Sequence, residues 1–353
     1  MDFLKYKKEF TEKALKEGYQ YDEIDILIKY AKKINDNDLP IIYDQEHFSR
    51  LVGYDYWFLI SICSNSSYYY HIYEIPKKNG KVRVIHEPFP SLKEIQSWIL
   101  KNILEPAAEK FVSPVAKAFI PKKSLRENAR FHKNKNCVVA LDLHDFFGTI
   151  HYQRVYHLFR FLGYSKSVCT MLTHLCLYEN FLPQGAPTSP MLSNLVFRKI
   201  DVKIFSYCRK RNIIYTRYAD DLTFSSNSLT PKKIISYVKM IVNANGFELN
   251  EEKTKVMRKG MRQSVTGIVV NAKMQVNRVY RDKVRQEIYY ILKYGIENHM
   301  EQISDSKEWI KSPYVYAKHL YGKINYILQV NPNDIYFLKY KLWLKEYMKN
   351  LKM

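Results

Sequence analysis

Two aspartates, Asp220 and Asp221, stand side by side where the apolar runs of IIYTRYADDLTFSS (213–226) meet. A third, Asp142, closes the apolar run that begins at Cys137. An Asp-Asp pair alone is ordinarily a solvated turn. An acid at the end of a buried strand is different, because a carboxylate taken out of water is costly without a partner. A divalent cation removes that cost at all three positions. Hard Mg²⁺ takes oxygen ligands, commonly one or two carboxylates together with substrate phosphates. Two such ions about 3.5–4 Å apart hold the attacking and leaving oxygens of a phosphoryl transfer. One ion then lowers the pKa of an attacking hydroxyl, and the other steadies a triphosphate and its pyrophosphate leaving group. A two-metal nuclease uses similar ligands, so the acids alone do not select a polymerase.

These acids need a scaffold of mixed periodicity. Cys137 to Leu143 reads as a buried strand, and Ile213–Tyr218 and Leu222–Phe224 as two strands around a tight turn. Ser189-Pro190 opens a helix as N-cap and first residue, with Leu192, Leu195 and Val196 on its inner face. From Tyr68 to Ile85 two strand-like runs are broken by Lys77-Lys78-Asn79-Gly80, and Asn-Gly there signals a hairpin. A helix with Leu92, Ile95, Ile99 and Leu100 on its apolar face follows. Residues 1–50 read as polar helices with apolar positions at Ile24, Ile26, Leu27 and Tyr30. Beyond residue 276 the period is helical to the end, with Val284, Ile288, Ile291 and Leu292, then Leu320, Ile324, Ile327 and Leu328. No internal repeat is visible. The fold class is α+β, an antiparallel body followed by an all-helical C-terminal stretch.

Composition narrows the partners. The 353 residues contain 56 Lys and Arg against 35 Asp and Glu, a net charge of +21, and 46% are hydrophobic. Such an excess on a core-forming chain points to a polyanion, nucleic acid or an anionic membrane. No apolar stretch approaches the ~20 residues that span a bilayer, and MDFLKYKKEF lacks the apolar centre of a signal peptide. The five cysteines (63, 137, 169, 176, 208) show no paired short spacing. They read as reduced core residues in a cytoplasmic protein, with neither a disulfide framework nor a zinc site.

FLPQGAPTSPMLSNLVF (181–197), YADD (218–221) and the strand-end Asp142 follow one another in the order and spacing of a reverse transcriptase palm. Over roughly residues 70–330 the chain resembles the bacterial reverse transcriptases. The resemblance implies a right-hand polymerase with fingers, an antiparallel palm sheet and a helical thumb. It assigns metal binding to Asp142, the Leu143 carbonyl, Asp220 and Asp221, with two Mg²⁺ ions per site. Phe147 matches the aromatic that blocks a nucleotide 2′-OH, and Gln184 and Gly185 the loop that contacts the incoming nucleotide and template. IPKKNGKVRVI (75–85) resembles the fingers hairpin that grips the triphosphate, through Lys77, Lys78, Lys81 and Arg83. FELNEEKTKV (247–256) puts Lys253 where the family's lysine protonates departing pyrophosphate.

Two further strings are similar to the retron enzymes within that family: NARFH (128–132), their Asn-Ala-x-x-His signature, and VTG (265–267). They imply RNA binding for Asn128, His132, Val265, Thr266 and Gly267. The segment 117–135 carries seven basic residues against Glu127 alone, which suits a phosphate-lined channel. Tyr314, Tyr316, Tyr321, Tyr326 and Trp343 are interleaved with charges in a helical thumb that would hold an RNA hairpin by stacking. The boundaries implied are a helical extension over 1–67, fingers over 68–137, palm with inserted fingers elements over 138–275, and thumb over 276–353. A retron enzyme recognises its own folded noncoding RNA and primes from the 2′-OH of a guanosine. It copies part of that RNA into multicopy single-stranded DNA, with deoxynucleoside triphosphates as substrates. A separately encoded effector in anti-phage defence is implied as a partner, as is a host RNase H, since no further spaced acid set suggests such a domain here. Two alternatives stay open: another bacterial defence reverse transcriptase of the abortive-infection type, and an RNA-binding scaffold with a vestigial active site.

Overall fold

The computed structural model describes residues 2–77, 80, 82–304 and 312–351. Its internal packing separates two units. One holds residues up to Pro121, Asp142–Tyr207 and Ile235–Asn250; the other holds Lys122–Leu141, Cys208–Ile234 and the chain from Glu251 onward.

The first unit opens with helices Phe3–Lys16 and Tyr21–Asn35. The second of these buries Ile24, Ile28, Ala31 and Ile34, a true helical stripe. Ile26, expected on the apolar face, is 67% exposed: two positions on from Ile24 it points about 200° away. Strands β1 (Tyr70–Pro76) and β2 (Val82–Pro88) form the expected hairpin, from Tyr70↔Pro88 to Pro76↔Val82. Gly80 sits at φ +78° and donates its N–H to the Lys77 carbonyl at 3.0 Å; Lys78, Asn79 and Lys81 lie outside the described residues. Helix Pro90–Ile99 follows with Leu92, Ile95 and Ile99 buried. Helix Ser189–Arg209 starts as expected, but Leu192 N–H bonds to the Thr188 carbonyl, so the cap is Thr188, one residue earlier than read. Phe197 of this helix meets Phe146 and Phe247 edge-on, and those two rings tilt against each other, with centroids 5.1–5.9 Å apart.

The second unit is built on β3 (Cys137–Asp142, of which only the last residue, Asp142, counts with the first unit), β4 (Ile214–Tyr218), β5 (Asp221–Ser226) and β6 (Lys255–Arg258), in the sheet order β4-β5-β3-β6. The β4–β5 and β3–β6 pairs are antiparallel. Short strands β7 (Ser264–Val265), β8 (Ile268–Val269) and β9 (Gln275–Val276) make a separate three-stranded sheet. Helices Arg278–Tyr294, Ile296–Ser304, Pro313–Val330 and Ile335–Asn350 follow. One core joins Val138 and Met257 with Val265, Ile268, Val284, Ile288, Leu320, Ile324, Phe337 and Leu344. Leu292 was expected in that stripe and is exposed. The rings expected to stack on RNA mostly serve the core: Tyr316 is buried, and Tyr321, Tyr326 and Trp343 pack against it. Among the described residues the exposed rings of this stretch are instead Tyr289 and Tyr294, with Lys293 Nζ 5.9 and 5.0 Å from their centroids.

All five cysteines are free thiols, and burial pushes Cys169, Cys176 and Cys208 up to about 12, where they are inert. Among the described residues no helix is long and apolar enough to cross a membrane.

Candidate active site

The Asp220–Asp221 pair sits at the tip of the β4–β5 hairpin. Tyr218 pairs with Asp221, leaving a two-residue loop, Ala219-Asp220. Ala219 is held at φ +57°, a conformation that costs a residue with a Cβ roughly 1–2 kcal/mol. Arg217, fully buried in β4, donates from Nη1 to the Ala219 carbonyl at 3.1 Å and holds the turn. On the same face Tyr215 and Phe224 stack at 4.8 Å. Asp220 is half-buried and Asp221 exposed.

Asp142 closes β3 and is 4% exposed. β3 and β5 are neighbours in the sheet. Asn136, just before β3, bonds through its backbone N–H and its side chain to Asn227, just after β5. β3 ends on Asp142, and its neighbour in the sheet, β5, begins on Asp221. Beyond Asp142, the Asn250 N–H donates to the Asp142 carbonyl and the His144 N–H to that of Glu248, around the Leu143↔Leu249 bridge. In an antiparallel pair of that kind the central residue's own N–H and C=O turn to the opposite side, which points the Leu143 carbonyl away from residue 249. Lys253 lies exposed on the short 3-10 turn Glu251–Lys253, two residues before β6 begins opposite Ala140.

Among the described residues no three His, Cys, Asp or Glu side chains gather closely enough to hold a metal ion by themselves. Carboxylates at neighbouring strand ends with one outward carbonyl nevertheless fit a hard cation. Such a cation takes one or two carboxylates and completes its shell with water and substrate phosphate.

The residues expected to meet the nucleotide lie in the first unit. Lys77 follows β1 directly and Arg83 stands on β2 opposite Ile75, both exposed; Lys78 and Lys81 are not among the described residues. β2 is tied to the Gln184–Gly185 loop by His86 N–H donating to the Gln184 carbonyl at 2.7 Å. Gly185 is required there. Its φ is +132°, and a Cβ would stand 2.6 Å from the His86 carbonyl oxygen. Phe147 is half-buried and meets Phe119 edge-on, centroids 6.4 Å apart.

Asn128 and His132, for which RNA contact was expected, are both 0% exposed. His132 Nδ1 lies 2.7 Å from Ser225 Oγ, and Nε2 lies 2.8 Å from Thr216 Oγ1. Burial pushes its imidazole down to about 3, so the ring is neutral. Asn128 Nδ2 reaches Thr266 Oγ1 at 3.5 Å. Val265 is buried in β7, and Thr266 and Gly267 form the β7–β8 turn at φ +46° and +84°, the two positive values a tight hairpin demands. Thr266 is half-buried and Gly267 exposed.

Sequence reasoning missed Arg217, Phe119 and the His86 backbone. Arg217 had a signal, a cation inside an apolar strand beside the acids. Phe119 and His86 had none, since their partners are remote in the chain.

A sheet with acids closing adjacent strands, a basic hairpin tied to a glycine loop and a helical C-terminal stretch define an α+β right-hand polymerase. The reverse transcriptase (RNA-dependent DNA polymerase) family matches residues 75–290. The retron Ec86 reverse transcriptase of Escherichia coli is 34% identical over 259 residues, covering 72% of this chain and 79% of that one. The retron Mx162 and Mx65 reverse transcriptases of Myxococcus xanthus are 36% and 32% identical over 262 and 285 residues. These cover 65% and 75% of this chain, which in turn spans 53% and 62% of their lengths. A solved telomerase from Candida albicans, in complex with a TWJ fragment of telomeric RNA, overlays 86% of this chain and 64% of its own. Its TM-score is 0.45 and its identity 12%, too loose to carry weight. The chain belongs to the reverse transcriptases, RNA-directed and divalent-metal-dependent DNA polymerases, and within them to the retron type.

Proposed function

We propose that the protein copies part of a cognate structured noncoding RNA into multicopy single-stranded DNA, priming from a guanosine 2′-OH, as part of an anti-phage system in the cytoplasm. The observation that carries this reading is the pairing of neighbouring strands that close on Asp142 and open on Asp221, in a chain whose relatives are retron enzymes. Asp142, Asp220, Asp221 and the Leu143 carbonyl would hold the divalent cations, two Mg²⁺ ions in this reading. When bound, they supply the charge that acidifies the primer hydroxyl and neutralises the triphosphate. The chain's own groups do the rest. Lys77 and Arg83, with Lys78 and Lys81, grip phosphate oxygens. Gln184 and Gly185 bring backbone against the incoming nucleotide. Phe147, braced by Phe119, fills the space of a ribose 2′-OH. Lys253 gives a proton to departing pyrophosphate.

In this reading 68–137 act as fingers, 138–275 as palm and 276–353 as thumb. RNA phosphates meet the exposed Arg126, Arg130 and Lys133, and bases stack on Tyr289 and Tyr294. From the signature strings, Thr266 and Gly267 reach the RNA directly, with Val265 supporting their turn, while Asn128 and His132 act from inside. A separately encoded effector and a host RNase H complete the system. Sequencing the nucleic acid that copurifies with the protein, expressed with its flanking DNA, tests the reading. A branched RNA–DNA molecule joined at a guanosine 2′-OH is expected. DNA attached to protein would favour the abortive-infection type, and RNA without DNA a vestigial scaffold; either overturns it.

A further inference from the structure

The retron signature helix is joined to the strands that present the acids, and the join has a specific chemistry. His132 follows helix Leu125–Arg130, and its ring spans two strands, touching Thr216 of β4 and Ser225 of β5. In the hairpin register Thr216 pairs with Thr223, Ile214 with Ser225 and Tyr218 with Asp221. With a side-chain period of two, Thr216, Ser225, Tyr218 and Asp221 all project from one face. The imidazole therefore crosses the hairpin diagonally on the face that carries Asp221. Thr216 is two residues, about 6.8 Å along a strand, from the pair that closes the acid-bearing loop.

Packing alone does not call for this residue. Both hydroxyls are buried, Thr216 at 3% and Ser225 at 0% exposure. A hydrophobic ring there would leave two buried hydroxyls without these partners, whereas a neutral imidazole offers one donor and one acceptor, one for each. The other end of the same helix reaches the VTG turn through Asn128 and Thr266. Helix, hairpin and turn thus form one connected set within the second unit.

We propose that His132 is a positioning residue for catalysis: by bridging Thr216 and Ser225 it fixes the register and splay of the two strands that aim Asp220 and Asp221. This rests on the reading of those acids as metal-binding. The strained Ala219 loop is the part such a clamp would protect, since it has no Cβ-free residue to relax into.

The test removes the hydroxyls and leaves the histidine in place. Thr216→Val and Ser225→Ala are each expected to lower the kcat of deoxynucleotide incorporation about tenfold, equivalent to about 1.4 kcal/mol. RNA affinity and nucleotide KM should stay within about twofold, and Thr216→Ser should restore the rate. Amide hydrogen exchange, measured without metal or nucleic acid, should quicken at 217–222 and stay unchanged in helix Pro313–Val330. Folded variants with wild-type kcat and unaltered exchange would overturn the clamp. So would a rate loss matching the loss of folded protein, because a purely structural role predicts that. Asp220→Asn assayed in parallel separates the two ideas: its inactivity beside fully active clamp variants sinks only the clamp, while its activity sinks the acid assignment and the clamp together.

Discussion

Acid should weaken this protein, and the part due to His132 can be isolated. His132 is neutral in the folded chain, with its pKa pushed down to about 3 by burial and, secondarily, by the charge of Lys135. In the unfolded chain it returns to about 6.5. The unfolded state therefore binds the extra proton as pH falls below 6.5, and stability contributed above that value is lost progressively down to pH 3. At about 1.4 kcal/mol per pH unit, acidification from pH 7 to pH 5 removes about 2 kcal/mol through this residue. His47, His86 and His174 are also lowered by burial and add to the loss, so the comparison must be differential. Urea unfolding of wild type and His132→Gln, followed by Trp343 fluorescence with the other tryptophans replaced by Phe, isolates the term. His132→Gln, less stable at pH 7, should lose about 2 kcal/mol less than wild type between pH 7 and pH 5. Equal losses in the two proteins would refute the reasoning, because they would mean the imidazole is not held neutral.

Asp220→Asn should cut cDNA synthesis by at least about a hundredfold while filter-binding affinity for RNA stays within about twofold; normal cDNA yield would contradict the assignment. Phe147→Ala should raise ribonucleotide incorporation by roughly 10–100-fold, read in single-nucleotide extension with ribo- and deoxynucleotides. Gly185→Ala should raise the KM for deoxynucleotides, because its Cβ meets the His86 carbonyl oxygen at 2.6 Å and pushes β2 off the loop; an unchanged KM would detach that loop from nucleotide binding. RNA affinity should fall steeply and log-linearly with salt, and a flat response in a titration from 50 to 300 mM, on the order of the usual range, would place the +21 charge elsewhere.

What the amino-acid order determined by itself is local. The hairpin at Lys77–Gly80, the strand ending on Asp142, the tight turn at Asp220 and the helical C-terminal stretch all follow from turn chemistry and side-chain period, which act over a few neighbouring residues. The family assignment was legible for the same reason, since its motifs are short strings. Burial was not. Ile26 and Leu292 look apolar and face water, while Tyr316 sits between charges and packs inside. The clearest case is His132, read as an RNA contact from its string. Its partners stand 84 and 93 residues away, and only the folded sheet brings their hydroxyls to both ring nitrogens. Gly185 is similar: its need for glycine comes from a carbonyl at residue 86. Tertiary packing decides such roles because a side chain's surroundings are set by whichever distant segments close over it.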